Sequence, residues 1–183
     1  MARRSGIYIV PTDQWYIERS VWLIAGIVLL ASTALAAWHH ALWVVGVIAT
    51  ALSSIAVGFT GVCVVGNMLA LLGFQPRLAD AGWRRGDLYR IRTDSWYLER
   101  RIYVAVGVNL TLASVLSLLH SPWWLAFTAF VGGAMVWFAA TGFCIMANGL
   151  FWLGAEPRLA PLAKDDGASA GRGAFDVMAR PGP

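Results

Sequence analysis

The distribution of apolar and charged positions divides the chain into two long uncharged stretches. No Asp, Glu, Lys or Arg occurs at positions 20–76 or 102–155, which are runs of 57 and 54 residues. A bilayer core about 30 Å thick requires roughly 20 apolar residues per helix, so each run is too long for one crossing. Two crossings joined by a tight turn fit each run. The pattern therefore predicts four transmembrane helices, at 21–38, from 42 to 60, at 102–119 and at 123–140.

The two uncharged stretches belong to one repeated unit. When the sequence is shifted by 81 residues, positions 8–79 align with positions 89–160 without a gap, and 23 of the 72 aligned positions are identical. Each copy would cross the membrane twice, so both copies would have the same orientation. The predicted fold class is an all-α membrane protein in which four transmembrane helices form two tandem hairpins. This parallel repeat would have a pseudo-two-fold axis along the membrane normal.

The repeat also predicts the domain boundaries. Residues 1–79 form the first transmembrane hairpin with an N-terminal arm, residues 80–92 a charged connector, and residues 93–160 the second hairpin. Residues 161–183 are rich in Gly, Ala, Pro and Asp and lack a periodic apolar pattern, so we expect a disordered tail.

The second arm of each hairpin is longer than one crossing requires. In the first copy the apolar run continues to residue 72, and Thr60-Gly61 stands where a single crossing should end. Gly weakens a helix and Thr can bond back to a backbone carbonyl, so we expect a break followed by a short interfacial helix. One long tilted helix is the alternative. Thr141-Gly142 occupies the same place in the second copy.

Small residues indicate which helices meet, because close approach favours helix association in lipid. The fourth span offers two pairs of small residues spaced by four, and the second span is also rich in Gly, Ser and Thr. We therefore expect the second and fourth spans at the centre. The two pairs are Thr128 with Gly132 and Ala129 with Gly133.

One strongly polar residue lies deep in a predicted span. Asn109 stands in the third span, and Val28 occupies the equivalent place in the first. An interhelical hydrogen bond is the expected role, and a functional role is the alternative.

Composition and charge exclude a soluble globular protein. Charged residues make up 13% of the chain and apolar residues 58%, whereas soluble domains carry about 25% charged residues. The net charge is +4, and all 14 Lys and Arg precede the first pair of spans, separate the pairs or follow the second. By the positive-inside rule, we expect both termini and the connector to be cytoplasmic, and in a bacterial interpretation the membrane is the inner membrane. The basic surface predicts contact with the lipid bilayer and not with nucleic acid.

Two cysteines at equivalent repeat positions are the first candidates for chemistry. Cys63 and Cys144 could form a reactive thiol pair if a helix that restarts after Gly61 or Gly142 lowers their pKa. The alternative is a small apolar residue packed near the pseudo-axis. No metal site is predicted, because His39, His40 and His120 lie in the turns at the opposite side.

Polar residues near each cysteine extend this candidate site. An asparagine one helical turn after each cysteine shares its face, and an arginine at the start of each hairpin could attract an anion. Hydrogen bonds at a helix end and charges that anchor the helices are the alternatives. The candidate thiol or anion site comprises Thr60, Cys63, Asn67, Thr141, Cys144, Asn148, Arg19 and Arg100.

These motifs resemble the transmembrane hairpin of the YgaP-like inner-membrane family. The residues that carry the resemblance are Glu18-Arg19, Gly26, Thr60-Gly61-Val62-Cys63 and Leu72-Gly73, and Glu99-Arg100, Gly107, Thr141-Gly142-Phe143-Cys144 and Leu153-Gly154. Such hairpins occur alone or after the rhodanese domain of a sulfurtransferase, where they pair as dimers. The family usually has Pro after the cysteine, where this chain has Val64 and Ile145. The chain contains no rhodanese-sized soluble stretch, so the resemblance does not imply sulfurtransferase activity.

Two functions are compatible with these features, and neither is enzymatic. The first is a non-catalytic inner-membrane module that acts as an accessory or scaffold subunit, packs against a larger complex or self-associates, and needs no cofactor. The alternative is a conduit or binding site for a small sulfur-containing anion such as thiocyanate or thiosulfate, or a thiol sulfur relay.

Overall fold

The computed structural model describes residues 6–79 and 82–159, and within these ranges the chain is helical with isolated β-bridges and no strand. A short 3₁₀ turn, Ala41–Trp43, precedes the second helix. The predicted tail at 161–183 lies outside the described residues, as do residues 1–5 of the arm and 80–81 of the connector. The helices are α1 Ile17–Trp38, α2 Val44–Thr60, α3 Val64–Leu71, α4 Leu98–Leu119, α5 Trp124–Thr141 and α6 Ile145–Trp152.

Four helical stretches are long and apolar enough to cross a membrane. Their mean hydropathies lie between 1.5 and 2.1, and the longest contain 22 residues, which corresponds to about 33 Å of helix. The all-α class and the four helices of spanning length are therefore confirmed. The stretches are Ile17–Trp38, Ala41–Thr60, Leu98–Leu119 and Trp124–Thr141.

The break predicted after the second and fourth spans is present. Helix α2 ends at Thr60, and Gly61 takes the left-handed conformation with φ 77°. Gly142 ends α5 in the same way with φ 75°. Because only glycine adopts this conformation without strain, the chain turns sharply here and restarts as the short helices α3 and α6. The alternative of one long tilted helix is wrong.

The helices pack in a different order from the one expected. Helix α1 lies along α5 and α2 lies along α4, whereas α2 and α5 do not form a comparable contact among the described residues. The expectation that the second and fourth spans form the centre is therefore wrong.

Glycines on the first and third spans explain this packing. A Cβ added to Gly26 of α1 would lie 2.9 Å from the carbonyl oxygen of Gly132 on α5. A Cβ added to Gly107 of α4 would lie 2.7 Å from the carbonyl oxygen of Ala51 on α2. The backbones approach closely only because these Cβ atoms are missing. Gly133, one of the residues used for the prediction, has no atom within 4 Å of such a Cβ.

Polar and aromatic contacts also join the spans. The hydroxyl oxygens of Thr33 and Thr128 lie 2.9 Å apart between α1 and α5. The rings of Trp22 and Tyr103 stack with centroids 4.7 Å apart and join α1 to α4. We call the end of the helices that carries α3, α6 and the segments before α1 and α4 the connector end.

Candidate functional site

At the first helix break, the Thr60 hydroxyl bonds to the backbone on both sides and Gly61 turns the chain. Thr60 Oγ1 donates to the carbonyl of Ala56 at 2.7 Å and accepts from the Val62 N–H at 3.2 Å. The Gly61 carbonyl then accepts from the Ile91 N–H at 2.9 Å, and Val62 forms a β-bridge with Arg90. The segment before α4 therefore pairs with the chain that leaves α2.

The second break repeats these contacts. Thr141 Oγ1 donates to the carbonyl of Trp137 at 2.8 Å and accepts from the Phe143 N–H at 3.2 Å. The Gly142 carbonyl accepts from the Val10 N–H at 3.0 Å. Here the N-terminal arm, from the far end of the sequence, completes the break.

The two cysteines begin the short helices, and neither has the environment of a reactive thiol. Cys63 is buried and its Sγ accepts from the Gly66 N–H at 3.3 Å. Cys144 is half-buried and its side chain makes no such capping bond. Burial raises the pKa of both thiols. Desolvation thus outweighs the helix N-terminus that was expected to lower them.

Each asparagine of the predicted site clamps a backbone segment. Asn67 Oδ1 accepts from the Tyr89 N–H at 2.7 Å, and its Nδ2 donates to the carbonyls of Tyr89 at 2.9 Å and Cys63 at 2.8 Å. Asn148 binds the backbone of Tyr8 in the same manner, at 2.7 and 3.0 Å. The side-chain amides of both asparagines are therefore engaged in hydrogen bonds within the chain.

A buried carboxylate bonds to the same tyrosine as Asn67. Glu18 is 0% exposed and accepts from the backbone N–H groups of Arg77 at 3.0 Å and Leu78 at 2.6 Å. The hydroxyl of Tyr89 donates to the same carboxylate at 3.0 Å. Glu18 therefore lies inside the protein, bonded to the chain that follows α3.

Glu99 makes the equivalent contacts in the second half. It is 3% exposed and accepts from the N–H groups of Arg158 at 2.9 Å and Leu159 at 2.8 Å, and from the Tyr8 hydroxyl at 2.9 Å. Sequence reasoning did not select these glutamates or tyrosines as site residues. A signal existed, because Tyr8 and Tyr89 are the first identical pair of the repeat although both precede the apolar runs.

The tyrosines that complete these contacts stay protonated. Burial raises the pKa of Tyr8, and the Glu99 carboxylate raises it further. Burial and the Glu18 carboxylate do the same for the pKa of Tyr89. Each hydroxyl is therefore held as a hydrogen-bond donor.

The arginines of the predicted anion site are buried and already bonded. Arg19 donates from Nε to the carbonyl of Ala139 at 2.7 Å and from Nη1 to the carbonyls of Thr12 and Gln14 at 2.8 and 3.0 Å. Its guanidinium lies 4.0 Å from the ring centre of Trp15.

Arg100 has the matching set of partners. It donates to the carbonyls of Gly58 at 2.7 Å, Thr93 at 3.0 Å and Ser95 at 3.1 Å, and it stacks on Trp96. Arg19 thus binds the end of α5 and Arg100 the end of α2. The structure brings each arginine towards the break of the other half, where carbonyl oxygens use its donors.

The turn histidines pair with tryptophans at the opposite end. His39 Nδ1 accepts from Trp43 Nε1 at 3.2 Å, and His120 Nδ1 accepts from Trp124 Nε1 at 3.2 Å. Within 6–79 and 82–159, no three residues of the types His, Cys, Asp and Glu are grouped so that they could hold a metal ion.

No family model matches the chain, and neither a curated protein nor a solved structure matches it. The resemblance to YgaP-like hairpins therefore stays a prediction. Any function must be inferred from the contacts of the chain itself.

Proposed function

We propose that the chain is a non-catalytic integral membrane module that acts as an accessory or scaffold subunit and packs against other membrane proteins. In this proposal two fused hairpins are related by a pseudo-two-fold axis along the membrane normal, in a bacterial inner membrane with both termini cytoplasmic. One observation carries the proposal: the polar groups best suited to chemistry are occupied by contacts within the chain. Glu18 and Glu99 accept three hydrogen bonds from other residues each, and Arg19 and Arg100 donate three each.

Polar groups that are bonded in this way favour a structural role over a catalytic one. A catalytic carboxylate or an anion-binding arginine needs a free lone pair or donor that faces a substrate. Here the arginines bond to the ends of α5 and α2, and the glutamates bond to Tyr89 and Tyr8, in each case across the two halves of the chain, so these contacts stabilise the association of the halves. What the spans present outwards is large and apolar, including Phe59 at 57% and Trp137 at 61% exposure. Such faces suit lipid and neighbouring transmembrane helices.

Native mass spectrometry of the full chain, purified in mild detergent from its own membrane, tests the proposal. We expect the chain at a fixed ratio to one larger membrane protein, and we expect the same partner after crosslinking in intact membranes. A chain recovered alone by both routes would count against an accessory role. An unrelated four-span protein, tagged and purified in the same way, controls for adventitious capture.

The anion conduit or sulfur relay remains the alternative. Flux of thiocyanate or thiosulfate into proteoliposomes, compared between wild type and a Cys63→Ala, Cys144→Ala double variant, tests it. Background flux in both would remove the alternative, whereas wild-type flux that the double variant loses would favour it over the accessory role.

A further inference from the structure

An apolar groove lies between α4 and α5 and ends against the first turn of α6. Its volume is about 310 Å³, at the lower end of the roughly 300–1,000 Å³ that ligand pockets occupy. Ligand pockets are typically lined by hydrophobic and aromatic side chains with a few polar groups, and this groove has that composition. Its aromatic walls comprise Trp22, Phe127, Phe130, Trp137, Phe138 and Phe143.

Asn109 supplies a polar group within the groove. It lies midway along α4, so that it is near the middle of the span, and its side chain is exposed. Its Nδ2 donates to the carbonyl of Ala105 in the same helix at 2.8 Å. The expected interhelical bond is therefore not made within the chain. Among the described residues no donor bonds to Asn109 Oδ1, which leaves this acceptor available at a depth where water is scarce.

The polar anchor and most of the aromatic residues of this groove are particular to the second half of the chain. Eighty-one positions earlier, Val28 stands for Asn109, and Gly46 and Ala56 stand for Phe127 and Trp137. The first half contributes Trp22 to the walls, but it forms its own helices without a counterpart of Asn109, Phe127 or Trp137. The anchor and walls are therefore not needed to form helices of this kind.

The polar anchor and the size of the groove restrict what can occupy it. A lipid acyl chain would fill the groove but leave Asn109 Oδ1 without a donor. A transmembrane helix is about 10–12 Å across with its side chains, too wide for a cavity of 310 Å³. An aromatic ring with a hydroxyl group satisfies both features, because rings pack favourably on aromatic side chains and the hydroxyl can donate.

We propose that this groove binds a lipid-soluble phenol or quinol, whose ring packs on the aromatic walls and whose hydroxyl donates to Asn109 Oδ1. The ligand enters from the bilayer, since α4 and α5 are both of spanning length. This site is independent of the accessory role, because a scaffold subunit with or without a partner could hold such a ligand.

Photolabelling of the full chain in lipid nanodiscs tests the site with two matched probes. One is an alkylphenol that carries a diazirine, and the other is the same molecule without the hydroxyl. We expect saturable labelling of groove residues by the phenol, and an apparent affinity about fivefold weaker for the probe that lacks the hydroxyl, the effect of one hydrogen bond. Peptide mass spectrometry locates the labelled residues.

Asn109→Val is the decisive variant, because it gives the second half the residue of the first. We expect it to remove the preference for the hydroxyl, so that both probes label equally. Val28→Asn is the matched control, since it places an amide on α1 outside the groove, and it should leave the preference unchanged. Ala134→Phe, which fills the groove, should abolish saturable labelling by both probes.

Three results would overturn the proposal. They are equal labelling of the wild type by both probes, a hydroxyl preference that survives Asn109→Val, and phenol labelling spread over all lipid-facing helices without saturation. If Ala134→Phe does not fold, the probe preference of wild type against Asn109→Val still decides.

Discussion

Two Tyr–Asn–Glu clusters lie at the connector end, and we call them locks. They contain the same three residue types but differ in how far apart these residues are in the sequence. In the first lock, Tyr89 contacts Asn67 and Glu18, which are 22 and 71 residues away. In the second, Tyr8 contacts Asn148 and Glu99, which are 140 and 91 residues away. Corresponding distances differ by at most 0.1 Å. Identical local chemistry therefore closes two loops of very different length.

The difference lies in tethering. Tyr89 belongs to a segment between two described helices, α3 and α4, whereas the one described helix that adjoins the segment of Tyr8 is α1. Loop-closure entropy grows slowly with length, so the equal geometry is physically reasonable. Opening is the property that should differ, because the segment of Tyr89 adjoins two packed helices and can leave its site only when the chain on both sides moves. Changes to what the locks share should therefore have larger effects than changes to what separates them.

The largest effect is expected from removing a buried carboxylate. Glu18→Ala removes the acceptor of the Arg77 and Leu78 backbone N–H groups and of the buried Tyr89 hydroxyl. Each such group costs about 1–3 kcal/mol, so we expect a loss of about 3–5 kcal/mol in the free energy of unfolding. Glu99→Ala should lose a similar amount. Unfolding of the full chain by sodium dodecyl sulfate in mixed micelles measures both.

Arg77, whose backbone N–H bonds to Glu18, also forms an ion pair with an exposed carboxylate, and this ion pair provides the control. The Asp13 carboxylate lies 3.3 Å from the Arg77 guanidinium, and its side chain is 61% exposed. Asp13→Ala should cost less than about 1 kcal/mol, the usual range for a surface ion pair. If Glu18→Ala were as mild as this control, the buried carboxylate would not stabilise the lock.

How much of this could be predicted from the sequence depends on the type of interaction. Span number, the helix breaks at Gly61 and Gly142, and the placement of the histidines in turns follow from local hydrophobicity and backbone preference. Local hydrophobicity and backbone preference act over one or two helical turns, so they are visible as patterns in the sequence. Matching hydrogen bonds also occur at positions 81 apart in the sequence, as with Asn67 and Asn148.

The partners across the halves could not be predicted in this way. Periodicity does not state that Arg19 bonds to Ala139 or that α1 packs on α5. Either half could satisfy its charges within itself or in the other, and the choice depends on close approach at Gly26 and Gly107, which is a property of the assembled pair. The residues of the candidate site lie near the helix breaks, but the prediction did not anticipate that their polar groups are bonded within the chain.

Replacing the asparagine of each lock should show how the two locks differ. Asn148→Leu and Asn67→Leu each remove the paired hydrogen bonds to one backbone segment, and each should cost about 1–3 kcal/mol. Hydrogen exchange should differ. In Asn148→Leu the amides of Tyr8 and Val10 should lose protection, whereas in Asn67→Leu the amides around Tyr89 should remain protected, because that segment lies between α3 and α4. Equal loss of protection in the two variants would show that tethering does not govern opening.

The smallest effect is expected in thiol reactivity. Cys144 is half-buried and Cys63 buried, so alkylation by iodoacetamide should be faster for Cys144, as followed in Cys63→Ala and Cys144→Ala single variants by intact mass. Burial raises the pKa of both thiols, which reduces the thiolate fraction at pH 8, so each should react more slowly in the folded chain than in the unfolded one. The rates should still increase well above the pH at which an ordinary thiol, with a pKa of about 8.5, is mostly ionised. Rapid alkylation of either cysteine at neutral pH would contradict the protonated state inferred from burial, and it would favour the thiol relay over the accessory module.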